Sequence, residues 1–172
     1  YKRQFDDSTN FANWTASGAI TPVITSTAHT GLKAALLGQD PPPTGGDSLI
    51  TQMVNLTTTL QFPRLSFVYT LSSTDTITND RFEVWATDGV STTNVISTCT
   101  PVDWTYISYD LSAYTSTITL TFKVTQSSDA NPTTVRVDEA SVELTEVHLG
   151  PTTYLRYLPL ILKDCCVKSE AK

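Results

Sequence analysis

Hydrolysis of a glycosidic bond needs two carboxyl groups facing each other across a cleft, roughly 5 to 10 Å apart, and Glu83 and Glu143 are the pair this sequence offers. Both fall in runs patterned as strands, so they can act together only if those strands face a common groove. An exposed Glu on the polar side of a strand is far commoner than a catalytic one, and the chain is read as non-catalytic. His29 and His148 stand in turn-like or tail contexts with no Ser or Cys nucleophile motif beside them, and are read as surface residues. Trp85 has a different chemistry available, because the face of an indole ring is an apolar platform for a sugar. Phe82 and Val84 alternate with Glu83 and Trp85, so if Val84 points into a core, Trp85 points outward. There it can stack a sugar, pack under a loop or meet another subunit.

Three cysteines, Cys99, Cys165 and Cys166, make an odd count. In an oxidising compartment Cys99 can close onto one of the tail pair and leave the other for a second molecule. Alternatively the tail thiols pair between subunits, or all three stay free. Adjacent cysteines rarely bond each other, since the ring strains the peptide between them. No Cys/His cluster has the spacing of a zinc site.

The elements that must position these residues are strands. A length of 172 residues suits one domain with a well-buried core. Threonine occurs 31 times and serine 16 times while charged residues make up 16%, and β-branched Thr with little Glu or Lys favours strand over helix. The net charge is −6 and the eleven basic residues are scattered, which leaves no electropositive stripe for nucleic acid. No stretch approaches the roughly 20 apolar residues of a membrane span. The start at Tyr1-Lys2-Arg3 lacks a hydrophobic leader core, so the chain is expected to be soluble and extracellular or at the cell surface, any signal peptide having been removed.

Short alternating runs bounded by Pro, Gly, Asn, Asp and Ser predict strands at Ala19–Ser26, Lys33–Leu37, Ser48–Asn55, Arg64–Ser72, Arg81–Thr87, Thr93–Thr98, Thr105–Asp110, Thr117–Gln126, Thr134–Leu144 and Thr153–Leu162. Leu65, Phe67, Tyr69 and Leu71 alternate with polar neighbours, as do Ile118, Leu120, Phe122 and Val124. Each such run shows one face to a core and one to water. The segment Gln39–Asp47, with three prolines and two glycines, is expected as a surface loop outside any ladder. Ser112–Tyr114 offers a single helical turn.

In order along the chain stand Phe5-Asp6-Asp7, Trp14, His29-Thr30-Gly31-Leu32-Lys33, Trp104 followed by Tyr109-Asp110-Leu111-Ser112-Ala113-Tyr114, and Val137-Asp138-Glu139-Ala140-Ser141-Val142. This succession resembles the carbohydrate-binding-module-like and MAM-like jelly rolls of secreted proteins, over about residues 5 to 145. The resemblance implies an all-β fold, an antiparallel jelly-roll β-sandwich over residues 1–146, with an additional apolar strand in a C-terminal tail, 147–172. It also implies a structural calcium held between the acidic residues at the first and last strands, here Asp6, Asp7, Asp138 and Glu139, whose hard oxygens suit that ion. The other reading of these four residues is ordinary turn and edge carboxylates. Trp14 and Trp104 match core positions of the pattern, which leaves Trp85 and some of Tyr106, Tyr109 and Tyr114 as sugar-stacking candidates.

After the sandwich pattern ends, Tyr154, Leu155, Tyr157, Leu158, Leu160, Ile161 and Leu162 form a strongly apolar segment behind a Gly150-Pro151 turn. The ending looks like a tail of secreted proteins from filamentous Chloroflexi-type bacteria. Such a segment must be buried, either as an edge strand of its own sandwich or as a strand given to a neighbour, which repeated head to tail makes a filament. Two functions follow. The main expectation is a non-catalytic structural or adhesive subunit that self-assembles through the tail; the alternative is a glycan-binding module of the jelly-roll type.

Overall fold

Strict alternation in Thr117–Gln126, with Ile118, Leu120, Phe122 and Val124 all buried, sets the pattern of the whole chain. The computed structural model describes residues 11, 13–40, 45–56, 61–129 and 131–145. Ten strands follow one another: β1 Thr15–Gly18, β2 Val23–Thr25, β3 Ala34–Leu37, β4 Gly46–Asn55, β5 Gln61–Ser73, β6 Arg81–Thr87, β7 Thr92–Thr98, β8 Val102–Asp110, β9 Thr117–Gln126 and β10 Thr133–Thr145. They form two antiparallel five-stranded sheets, ordered β1-β4-β9-β6-β7 and β2-β3-β10-β5-β8. The described residues contain no helix.

The inward faces of both sheets meet in one aromatic-centred core. Phe122 of β9 lies edge-on to Phe67 of β5 with ring centroids 5.0 Å apart, and Trp14 and the Tyr69–Phe82 pair extend the cluster on either side. The Asp110-to-Tyr114 motif plugs one end. Leu111 and Tyr114 are buried, and the Tyr114 hydroxyl donates to the Ala86 carbonyl at 2.8 Å, tying the β8–β9 turn to β6.

Several boundaries differ from the sequence expectation. The expected strand Ala19–Ser26 shrinks to β2, because Pro22 removes a donor, and an unexpected β1 precedes it, ending at Gly18 with φ 113°. The ladder takes in Gly46 and Asp47, expected as loop. Gly46 has φ 128° and a Cβ there would stand 2.8 Å from that of Ala19, so only glycine lets β4 start its pairing with β9 that early. Ser112–Tyr114 is a turn rather than a helical one, closed by the Tyr114 N–H on the Leu111 carbonyl. The expected strand Thr153–Leu162 lies outside the described residues.

Phe122→Ala removes the ring on which both sheets converge, and should cost about 3–5 kcal/mol of stability in urea unfolding; a loss below about 1 kcal/mol would mean that the contact is not central. Turn carboxylates make a second measurable contribution. Asp88, Asp110 and Asp129 accept backbone N–H bonds from Ser91, Ser112 and Asn131, and these hold each carboxyl below its ordinary range. A group with a depressed folded-state pKa stabilises above its unfolded value and loses that contribution as pH falls through the folded value. Stability should therefore decline from about pH 4 downward, and less steeply in the Asp88→Asn variant, as read by thermal unfolding across pH.

Candidate functional site

Because β6 turns Phe82, Val84 and Ala86 into the core, Arg81, Glu83, Trp85 and Thr87 point out of the first sheet. Register then places their neighbours. Trp85 is flanked by Thr121 of β9 and Asn94 of β7, with Thr51 of β4 beyond Thr121. The next row holds Leu49, Lys123, Glu83 and Ser97, and the one after it Asp47, Thr125 and Arg81. A β-bulge between Val84 and Trp85, where β7 inserts Val95, sits beside the indole. Two ion pairs lie within the face: Lys123 Nζ is 3.1 Å from Asp47 Oδ2, and Arg81 Nε is 3.1 Å from Glu83 Oε2. The Thr125 hydroxyl also donates to Asp47. The surface is thus one half-buried indole amid hydroxyls, an amide and fixed charges, the mixture that stacks and hydrogen-bonds a polar ring.

The outward side of the second sheet is built differently. A bulge in β10 sets Glu139 and Ala140 opposite Phe67 of β5, with Glu139 at φ 53°, so Asp138 and Glu139 fall on the same side instead of opposite ones. The Asp138 carboxylate, 1% exposed, accepts the backbone N–H groups of His29 at 2.9 Å and Thr30 at 3.1 Å on one oxygen and that of Glu139 at 2.7 Å on the other. Glu139 holds the His29 ring at 3.0 Å and accepts from the Thr30 hydroxyl. The His29 ring in turn lies 5.5 Å from that of Trp104. The β2–β3 loop is therefore clamped from β10 to β8, and Ala34 and Val68, outside the inner core cluster, are buried on this sheet as well.

Each expected site residue can now be placed. Trp85 points outward, as alternation required. Trp14 is in the core, but Trp104 is not: it stands half-buried on the outward side of β8, next to the 62% exposed Tyr106. The bulge opposite Thr70 and the pairing of β8 at the sheet edge decide this, and neither is legible in the motif. Tyr109 packs against the core and Tyr114 is buried, so neither is a platform. Glu83 and Glu143 stand on opposite outer sides of the sandwich and share no groove, because their strands belong to different sheets. Glu83 is buried against Arg81, and Glu143 is exposed in register with Arg64.

His29 is exposed, as expected of a surface residue, and it also takes part in the loop clamp. A calcium ion on Asp138 would share oxygens already taken by three amides; the partner carboxylates Asp6 and Asp7 lie outside the described residues, among which no group of three His, Cys, Asp or Glu is placed to hold a metal. Cys99 is a free, half-buried thiol, whereas Cys165, Cys166, His148 and the apolar tail lie outside the described residues.

No protein-family model matches the chain, and no curated protein is similar to it in sequence. Solved structures are similar in fold. A family 61 carbohydrate-binding module in complex with β-1,4-galactotriose aligns over 80% of this chain and 92% of its own, with a TM-score of 0.59 at 18% identity. The K2 cleaved adhesin domain of Lys-gingipain aligns over 84% and 97%, with 0.58 at 17%. The family 11 module of a Clostridium thermocellum cellulosomal cellulase aligns over 87% and 98%, with 0.52 at 13%. The fold is the jelly-roll β-sandwich of carbohydrate-binding modules, and nothing in these likenesses supports a Chloroflexi-type source.

Asp138→Ala leaves three buried or half-buried N–H groups without their acceptor, which should destabilise the fold on the order of 1–3 kcal/mol. It should also release the β2–β3 loop, seen as faster hydrogen exchange at His29 and Thr30. Unchanged exchange at those two amides would show that the clamp does not hold the loop.

Proposed function

We propose that the protein is a non-catalytic, extracellular glycan-binding module whose ligand lies on the outward face of the first sheet, across Trp85. The observation that carries this reading is the contrast between the two outer sides. One carries a loop clamped onto Asp138 and Trp104. The other presents Trp85 in a row with Thr51, Thr121 and Asn94. An indole face supplies the apolar contact for a pyranose, and the threonine hydroxyls, Asn94 and the charged row supply partners for its hydroxyls. Support comes also from the similar folds solved as glycan binders, one with galactotriose bound. The separation of Glu83 from Glu143 supports the absence of catalysis, since no carboxylate pair brackets a shared cleft.

The ordering of functions expected from sequence is thereby reversed, with sugar binding ahead of structural self-assembly. A glycan array followed by calorimetry tests it. Trp85→Ala should keep the unfolding temperature of the parent and weaken binding by at least about tenfold, or about 1.4 kcal/mol. Full binding by that variant would move the site elsewhere, with Trp104 and Tyr106 the next to be substituted.

A further inference from the structure

Two ladders stop short on the same flank of the sandwich. β1 pairs with β4 only as far as Thr51, because Asn13 stands at φ 68° and turns the chain out of the ladder. β3 pairs with β10 only over Val135–Val137, just before the bulge at Glu139, which has φ 53°. Between the uncovered stretches of β4 and β10 lies a cavity of about 220 Å³. Trp14 and Ala140, each directly behind one of these two strained residues, line it.

The cavity has an apolar interior and a polar mouth. Leu65, Leu120 and Val142 belong to the core cluster and, with Trp14, form the inner wall. The mouth is on β4. The Leu56 N–H donates to the Ser116 carbonyl, and β4 pairs with β9 without a break, so even-numbered residues turn their backbone groups to β9 and odd-numbered ones away from it. The Ile20 N–H, which donates to the Asp47 carbonyl on the far side, obeys the same parity. Met53 and Asn55 therefore direct their N–H and C=O groups to the uncovered edge, where none of the described residues pairs with them. The Gln52 side chain donates to the Asn13 carbonyl and retains its own amide oxygen as an acceptor, and the Asn55 side chain is exposed. Among the described residues that line the space, none is charged.

We infer that this cavity is a second binding site, for a small neutral molecule built on one aromatic ring with a hydroxyl or amide group. Volume sets the size. A dry cavity of about 150 Å³ lined by Leu, Ile and Phe holds benzene, so about 220 Å³ takes one ring with its substituent. Burial of the ring against Trp14 and the three aliphatic side chains supplies the affinity. The backbone groups of Met53 and Asn55 and the side-chain amides of Gln52 and Asn55 receive the polar end, which stays at the mouth and is spared the cost of burial without a partner. A carboxylate or an ammonium group is excluded, because no opposite charge in this lining compensates one withdrawn from water. The site lies between the sheets and not on the face of Trp85, so it is independent of the glycan reading.

Phenol, whose hydroxyl is neutral at pH 7, is the probe, and methyl-resolved NMR of the full chain is the measurement. The methyl signals of Leu65, Leu120 and Val142 should shift together and saturate near about 1 mM phenol. Intermolecular NOEs should connect the ring to Leu120 and Val142. Benzoate, the same ring with a charge, should move none of these signals even at about tenfold higher concentration. Ala140→Phe fills part of the space and should weaken phenol binding by at least about tenfold. Should that variant fail to fold, the NOEs in the unsubstituted chain decide the matter alone. Absence of NOEs to Leu120 and Val142 overturns the proposal. An equal response to benzoate, or undiminished phenol binding by folded Ala140→Phe, overturns it as well.

Discussion

The edge-on contact of Phe122 with Phe67 fixes which way every central strand faces. Phe122 comes from the central strand of the first sheet and Phe67 from β5, an interior strand of the second, and their centroids are 5.0 Å apart across the gap. Once Phe122 points inward, period two obliges Thr121 and Lys123 to point out. The β9 register then puts Trp85 and Glu83 on the same outer face. A slip of one residue in β9 would bury Lys123 and the threonines and expose Ile118, Leu120, Phe122 and Val124. The surface chemistry of the first sheet is thus a consequence of its core.

Two nearly equivalent sheets acquire different outer sides through one extra residue. The bulge at Glu139 and Ala140 turns two adjacent carboxylates to the same side, which an uninterrupted strand forbids. Asp138 is then inside the second sheet's cover, and hydrogen bonds from amides to an ionised oxygen are among the stronger ones available. The desolvation cost of that carboxylate is met by three backbone donors. Its local effect is to hold the β2–β3 loop against β10, with the His29 ring next to Trp104 of β8. The first sheet has no such bulge in its central strand β9, and its ion pairs run within the face.

Legibility in the sequence followed the same division. Runs with clean alternation, Arg81–Thr87 and Thr117–Gln126, appear at the expected bounds, and the outward direction of Trp85 followed from Val84 alone. What alternation cannot express was missed. Trp104 was expected in the core because the motif around it matches buried positions, yet a bulge and an edge location turned it out. β1 was missed because Thr15–Gly18 turns only Ala16 toward the core, its place being secured by pairing with β4. The role of His29 depends on contacts 109 and 110 residues away in sequence, beyond any local pattern. Glu83 and Glu143 looked alike as exposed strand acids and were separated only by sheet membership.

The threonine content gains a physical meaning from these faces. Thr51, Thr119, Thr121, Thr125 and Thr87 all stand on the outer side of the first sheet, in register across β4, β9 and β6. Threonine is the residue that reconciles two demands there, since its branched Cβ favours the extended backbone while its hydroxyl remains free to exchange hydrogen bonds with water or a polar ligand. Valine would serve the strand equally and leave an apolar sheet open to aggregation; serine would serve the ligand and weaken the strand. A face built this way stays folded without a cover, and so can remain open. The opposite sheet solved the problem by covering itself, and its one long edge, β8, carries Trp104 and Tyr106 where the first sheet carries threonine. An open face rich in hydroxyls and a surface carrying exposed aromatic rings are therefore segregated to opposite sides of a single sandwich.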